Sequence, residues 1–148
     1  MSLTGNNMPV YATNPQNSGG SITNGTGAGA FGADTNGVTV YTAGSNGSRV
    51  YGLLLSSNDT SANNVYLYIK NGSNIYPVGQ INVPIGSGST ASTSCVDAIS
   101  PTNCPGLPFD GTGKPYIELA SGSTLKISVI AAVTATKTLF AASIGADY

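Results

Sequence analysis

The residues that could carry chemistry are few and widely spaced. The chain has no histidine, so the usual proton carrier near neutral pH is missing, and its many hydroxyl groups have no obvious base to activate them. Ser123 and Lys126 have the Ser-x-x-Lys spacing of some acyl-transfer enzymes, but no S-D-N or K-T-G partner motif accompanies them. Most of the acidic residues fall in predicted loops or turns, and no motif links them. We therefore predict that the chain is not an enzyme and has no catalytic residues.

Metal and disulfide chemistry have equally little support. The segment Asp34-Thr-Asn-Gly37 resembles the start of a calcium loop but lacks the later glutamate, so an Asx turn is favoured. Cys95 and Cys104 could close a small disulfide loop or remain two free thiols. Without histidine they cannot complete a tetrahedral zinc site alone. We predict no metal and no cofactor.

Charge is scarce, which bounds the classes of partner. Only 5 basic and 6 acidic residues occur in 148, for a net charge of −1, while 40% of the residues are hydrophobic. One domain with a core is expected, with no basic surface for nucleic acid. No apolar run is long enough to cross a membrane, and the first residues do not read as a secretory signal. Because a net charge near zero promotes association, we expect a component of an assembly.

From residue 37 onward, short β patterns alternate with turn signals. Val65, Leu67, Ile69, Leu125, Ile127 and Val129 alternate with more polar or smaller residues and are predicted to form the core. Residues 49–57 are apolar on both faces, as in a central strand or one covered by a partner. The predicted strands are 38–41, 49–57, 65–70, 75–85, 116–119, 125–133 and 138–145, the last two forming a final hairpin. This pattern indicates an all-β, antiparallel sandwich of jelly-roll type, with 75–85 as an edge or bulged strand because of its prolines.

Two segments stand apart from the strands. Residues 1–36 are rich in Gly, Asn and Ser and are predicted to be an extended arm, separate from a β-sandwich at 37–148. Because the arm is poor in large apolar residues, its removal is expected to spare the fold and weaken assembly. Residues 86–110 form a long irregular loop that contains both cysteines.

Several segments resemble one family of virion proteins. They are Val40-Tyr-Thr-Ala-Gly-Ser-Asn-Gly-Ser-Arg-Val-Tyr51, Asn58-Asp-Thr60, Asn64-Val-Tyr-Leu-Tyr-Ile69, Leu107-Pro-Phe-Asp-Gly111 and the final stretch from Ala120 to Leu139. Together, across residues 37–148, they resemble the capsid decoration or cement proteins of tailed phages, which have a jelly-roll-like β fold.

The resemblance implies a structural protein on the outer surface of the phage head, made in the host cytoplasm. Its partners would be the major capsid protein, whose subunits it would bridge, and its own copies in a dimer or trimer, with no nucleic acid and no membrane. The predicted partner interface comprises Met8, Pro9, Val10, Tyr11, Phe31, Pro108 and Phe109.

Two other functions remain open at this stage. One is a tail, fibre or baseplate component of a virion. The other is a carbohydrate-binding or adhesin module, for which Tyr66 and Tyr68 could form a stacking platform. The alternative for that tyrosine pair is cross-strand packing, which is the more frequent use.

Overall fold

The computed structural model describes residues 12–23 and 29–148, and the chain is all-β over those ranges, as predicted. Nine strands occur there. The strands are β1 (Asn14–Thr23), β2 (Val38–Thr42), β3 (Ser48–Ser57), β4 (Asn63–Asn71), β5 (Asn74–Val83), β6 (Val96–Asp97), β7 (Ile117–Leu119), β8 (Ser123–Val129) and β9 (Thr138–Asp147).

The strands form two antiparallel sheets packed as a sandwich. The first sheet has the order β1-β9-β3-β6, with β7 also paired to β3, and the second has the order β2-β8-β4-β5. Successive strands change sheet repeatedly, and this strand order is that of a jelly roll. The predicted fold class is therefore confirmed, including the position of β5 at an edge.

The predicted final hairpin is wrong. β8 pairs with β2 and β4 in the second sheet, whereas β9 pairs with β1 and β3 in the first. Residues 130–137 therefore cross from one sheet to the other. The alternation within each strand identifies its buried face, but it carries no information about which strand lies beside it.

The core lies between the sheets, where the sequence places it. Of the six predicted core residues, Ile69 is half-buried and packs on the core, and the other five are fully buried. The first sheet contributes the facing layer from the buried sides of β3 and β9. Its large side chains are Val50, Leu53, Leu55 and Leu139, with Ile22 from β1.

The segment 14–23 lies inside the range 1–36 that the sequence analysis treats as an arm, and here the structure differs from the prediction. Its ten residues pair with β9 along their whole length. Only Ile22 is a buried large apolar residue, so the strand lacks the alternation that marks a core strand. Gly19 permits the close approach, because a Cβ there would overlap the Ala141 carbonyl oxygen. Removal of 1–36 would thus take a strand out of the sandwich.

The long loop 86–110 covers one edge of the first sheet. Its two-residue strand β6 pairs with Leu54 and Leu55, and Ile99 and Cys104 are buried beneath it. The two cysteines are free thiols, with Cys95 exposed. Burial, with a contribution from the charge of Asp97, raises the pKa of the Cys104 thiol to about 11. Its Sγ donates to the Ala98 carbonyl oxygen at 3.3 Å.

Asp59 is a buried carboxylate that joins two connections between the sheets. Its Oδ1 accepts from the Ser61 amide at 3.1 Å, and its Oδ2 accepts from Asn63 Nδ2 and the Thr134 amide at 3.1 Å each. Burial by itself acts to raise the pKa of this carboxyl, but the hydrogen bonds from Thr134, Asn63 and Ser61 outweigh it and lower the pKa to about 2. The charged form therefore holds the 58–63 and 130–137 connections together.

We expect Leu67→Ala to reduce the free energy of unfolding by about 2–5 kcal/mol, because it leaves a cavity at a fully buried position. Urea unfolding followed by circular dichroism measures this loss. Tyr76→Ala, at a side chain that is 52% exposed, is the control and should leave the midpoint almost unchanged. Equal midpoints for wild type and Leu67→Ala would contradict the assigned core.

Asp59→Asn should cost about 1–3 kcal/mol at pH 7, because an amide hydrogen then faces groups that are themselves donors. The folded pKa of Asp59 lies below its ordinary value of 3.8, so the unfolded chain binds the proton first as the pH falls. The stabilisation is present above about pH 4 and is lost as the pH falls towards 2. The difference in free energy of unfolding between wild type and Asp59→Asn, measured in urea, should therefore be smaller at pH 3 than at pH 7. The control is Asp97→Asn, which changes an exposed carboxylate and should differ little from wild type at either pH.

Candidate interaction surface

The outer face of the second sheet is covered in part by the chain itself. Residues 29–37 precede β2 and lie across β4 and β8. The Gly29 amide donates to the Val129 carbonyl oxygen at 2.6 Å. Gly37 lies so close to the Tyr68 hydroxyl that a Cβ at this position would overlap it. This covering segment, as we call residues 29–37, leaves Tyr68 only 2% exposed.

Asp34 is the electrostatic anchor of the covering segment. Its carboxylate accepts from Lys70 Nζ at 2.5 Å, from Lys126 Nζ at 2.6 Å and from the Tyr68 hydroxyl at 2.8 Å. Burial acts to raise the pKa of Asp34, but the hydrogen bonds from Lys126, Lys70 and Tyr68 outweigh this effect and lower the pKa to about 2. One carboxylate thus bridges two lysines on neighbouring central strands and offsets one of their two positive charges.

Phe31 is the apolar contact of the covering segment. Its ring packs on Tyr66 with a centroid separation of 4.8 Å and an interplanar angle of 59°. Tyr66 lies under Phe31 and Tyr68 is buried, so these two tyrosines do not form a shared, open platform on which a sugar could stack. The structure therefore favours packing over sugar stacking for this pair, and both side chains contact the covering segment.

The outer face of the first sheet has no such cover among the described residues. Residues that pair directly across an antiparallel ladder share a face, so the ladders define rows across the sheet. The middle row is Gly19, Ala142, Leu54 and Asp97; a second row is Asn17, Ile144 and Gly52; a third row is Ser21, Phe140 and Ser56. Small side chains make much of this face flat, and a few large apolar ones stand out from it.

Four large apolar side chains are exposed on this face. Ile144 is 51% exposed, Phe140 49%, and Tyr51 and Leu54 40% each. Tyr51, Leu54 and Ile144 also line a shallow cavity of about 270 Å³ together with Gly52, Asp97 and Lys114. We call the surface formed by Tyr51, Leu54, Phe140, Ala142 and Ile144 the apolar face. It combines exposed apolar area with one anionic and one cationic side chain at its border.

The predicted partner-interface residues do not all lie together. Phe31 is 54% exposed and sits over the second sheet, on the opposite side of the sandwich from the apolar face. Pro108 and Phe109 are exposed in the segment before β7, where Phe109 pairs with Pro115 in a short bridge. The hairpin that follows carries Lys114 to the apolar face. Met8, Pro9, Val10 and Tyr11 lie outside the described residues.

The residues of the apolar face are not among the predicted site residues, although a signal for them exists in the sequence. The apolar character of both faces of 49–57 indicates a strand covered on both sides. The sequence of β9 is also apolar on both sides, because Phe140, Ala142 and Ile144 alternate with the buried Leu139 and Ala141. What the sequence lacks is the pairing of β3 with β9, which brings the outer residues of both strands onto one surface.

Two further findings concern the described residues only. Within 12–23 and 29–148, no three His, Cys, Asp or Glu side chains are placed so that they could hold a metal ion. The same ranges contain no helix with the length and apolar character needed to cross a membrane.

Asp34→Asn should loosen the covering segment, because the neutral amide loses the attraction of both lysines. Hydrogen–deuterium exchange of the Gly29 amide should become faster, while the amides of β9 should stay protected. The global loss of stability should be about 1 kcal/mol, since the site is partly exposed to solvent. High salt should speed this exchange in wild type less than the substitution does, because the ion pairs are partly buried, and should have little effect on the variant. Unchanged exchange in Asp34→Asn would show that Phe31 and the backbone suffice to hold the segment.

Comparison with known proteins adds a likeness to solved structures. No family profile and no curated protein sequence matches the chain. Among solved structures, a chain of the "Cyanophage Pam1 capsid asymmetric unit" is similar, with 18% sequence identity over 95% of this chain and 90% of that chain and a TM-score of 0.47. At this identity and TM-score the likeness assigns neither a partner nor a role to this chain.

Proposed function

We propose that this chain is a structural protein of a phage virion that decorates the outer surface of the head and bridges subunits of the major capsid protein. The proposal includes a non-catalytic role without a cofactor. Its sequence support is the resemblance of residues 37–148 to capsid decoration proteins. Its structural support is a scaffold whose distinctive surface feature suits contact with another protein.

The apolar face is the single observation that carries the proposal, because it indicates a chain that works in an assembly with other protein chains, its own copies among them. Soluble monomers seldom expose a large contiguous apolar patch, and those that do commonly use it for contact with a partner. Here Phe140 and Ile144 project from the central strand β9. Leu54 lies on the neighbouring strand β3, at a position between them along the strand direction. The covering segment protects part of the other outer face of the sandwich, and Phe31 and Tyr76 are exposed as single large side chains outside the apolar face.

The low net charge of the chain also fits a role in decorating a phage head. Head shells present the same subunit contacts many times, and a protein that adds a modest contact at each one gains avidity from repetition. Contacts of this kind do not need strong electrostatic steering, which this chain with a net charge of −1 cannot supply. The residues proposed to touch the shell are those that the sequence indicates: Met8, Pro9, Val10, Tyr11, Phe31, Pro108 and Phe109.

The decisive experiment mixes purified protein with phage heads that lack it and measures co-sedimentation, followed by electron microscopy of the heads. Wild type should bind at a regular set of surface positions. Phe109→Ser and a variant that begins at residue 12 should keep the fold, since Phe109 is 55% exposed and every described strand starts after residue 12. Both should bind heads at least about tenfold more weakly.

Tyr76→Ser is the matched control, because it removes an aromatic side chain of similar exposure (52%) from the edge strand of the second sheet. Its head binding should equal that of wild type. Failure of wild-type protein to bind heads, with binding to purified tails or fibres instead, would replace the proposal by the tail alternative. Binding to neither would refute a virion role.

A further inference from the structure

We propose that a second copy of this chain occupies the apolar face, so that two copies pack sheet against sheet in an isologous dimer. The inference deepens the proposed function by naming the partner of this face, and it rests on that function. In an isologous contact the same patch is used by both copies, which leaves the shell-binding residues of each copy available. A dimer would then present two shell-binding surfaces, as bridging requires.

The shape of the face suits another sheet. Its middle row contains Gly19, Ala142 and Leu54, so two of three neighbouring strands contribute a hydrogen or a methyl group there. Phe140 and Ile144 stand two residues to either side of Ala142 along β9. Consider a two-fold axis that lies midway between the two facing sheets, passes over Ala142 and runs perpendicular to β9. This axis places Phe140 of each copy against Ile144 of the other. Facing sheets pack about 10 Å apart, a gap that side chains of this size fill.

The outer face of the first sheet, with the apolar face at its centre, is close in size to what a dimer needs. Three strands of ten residues, β1, β9 and β3, make up most of this outer face. With a rise of about 3.3 Å per residue and a spacing of about 4.8 Å between strands, they span roughly 480 Å² in plan. Two copies would therefore bury about 1,000 Å², the lower end of the range for specific interfaces. The expected dimer is accordingly weak, with a dissociation constant of about 1–100 µM.

The charge of the face also suits a copy of itself. Asp97 and Lys114 border the same cavity and carry opposite charges, so the patch is neutral and two copies do not repel each other. A strongly charged partner surface would find no counterpart on this face. The covering segment contributes nothing here, because it is engaged on the second sheet through Asp34.

Sedimentation equilibrium of the full chain, from about 1 µM to about 1 mM, tests the inference. Wild type should follow a monomer–dimer equilibrium. Ile144→Ser and Phe140→Ser should each weaken the dimer about tenfold or more while keeping the thermal unfolding transition, since both side chains are about half exposed. Tyr76→Ser should dimerise like wild type.

Two results would overturn the inference. One is wild-type protein that stays monomeric up to the highest concentration. The other is a dimer or larger assembly whose dissociation constant is unchanged by both substitutions. If the variant beginning at residue 12 dimerises and wild type does not, the occupant is the N-terminal segment of the same chain.

Head binding is measured separately, so the two proposals can fail independently. Dimers that do not bind heads would refute the proposed function and leave the dimer standing. Monomeric wild type whose head binding is lost in Ile144→Ser would assign the apolar face to the shell.

Discussion

The strict alternation of β9 determines both the interior and the exterior of this protein. β9 lies between β1 and β3 and forms ten residue pairs with β1 and nine with β3, so it holds the first sheet together. Its inward residues include Leu139 and Ala141, which complete the core. A strand that is apolar on its inner side need not be apolar on its outer side, yet Phe140 and Ile144 are. The surplus of apolar residues on one strand is what makes one side of the sandwich a surface for contact.

Most of the few charged residues described below hold segments of the chain in place and do not form a charged surface. Asp34 attaches the covering segment to two lysines, and Asp59 ties two connections between the sheets. Arg49 of β3 pairs with Glu118 of β7 and lies 4.1 Å above the Tyr116 ring. Fixing irregular segments in this way is useful in a chain rich in glycine, because each ordered segment costs conformational entropy that small side chains repay poorly. Partial burial makes these pairs less sensitive to salt than exposed ones.

The fold class and the core could be predicted from the sequence because both depend on local alternation. Val65, Leu67 and Leu125 show a period of two and are buried as that period requires. Strand pairing depends on the whole chain, which explains why β8 and β9 were expected to form a hairpin and instead lie in different sheets. β1 escaped prediction for another reason, since it packs through glycine and backbone contacts and buries one large side chain, Ile22.

The site was harder to predict than the fold, and the reason is geometric. Phe31 and Phe109 attract attention as isolated aromatic residues in loops, and the structure does leave both exposed. Leu54 and Ile144, which are 90 positions apart, look like core residues until β3 and β9 are placed side by side with the same outer face.

The residues around Leu54 and Ile144 also determine how the apolar face can bind. The neighbouring Gly19, Gly52 and Ala142 have few polar groups to desolvate, so contact there would gain mainly from apolar area. Such binding is broad and weak for each copy and nearly independent of salt. Because this face is proposed to join two copies, attachment to a head must gain its strength from the number of shell contacts that the dimers make together.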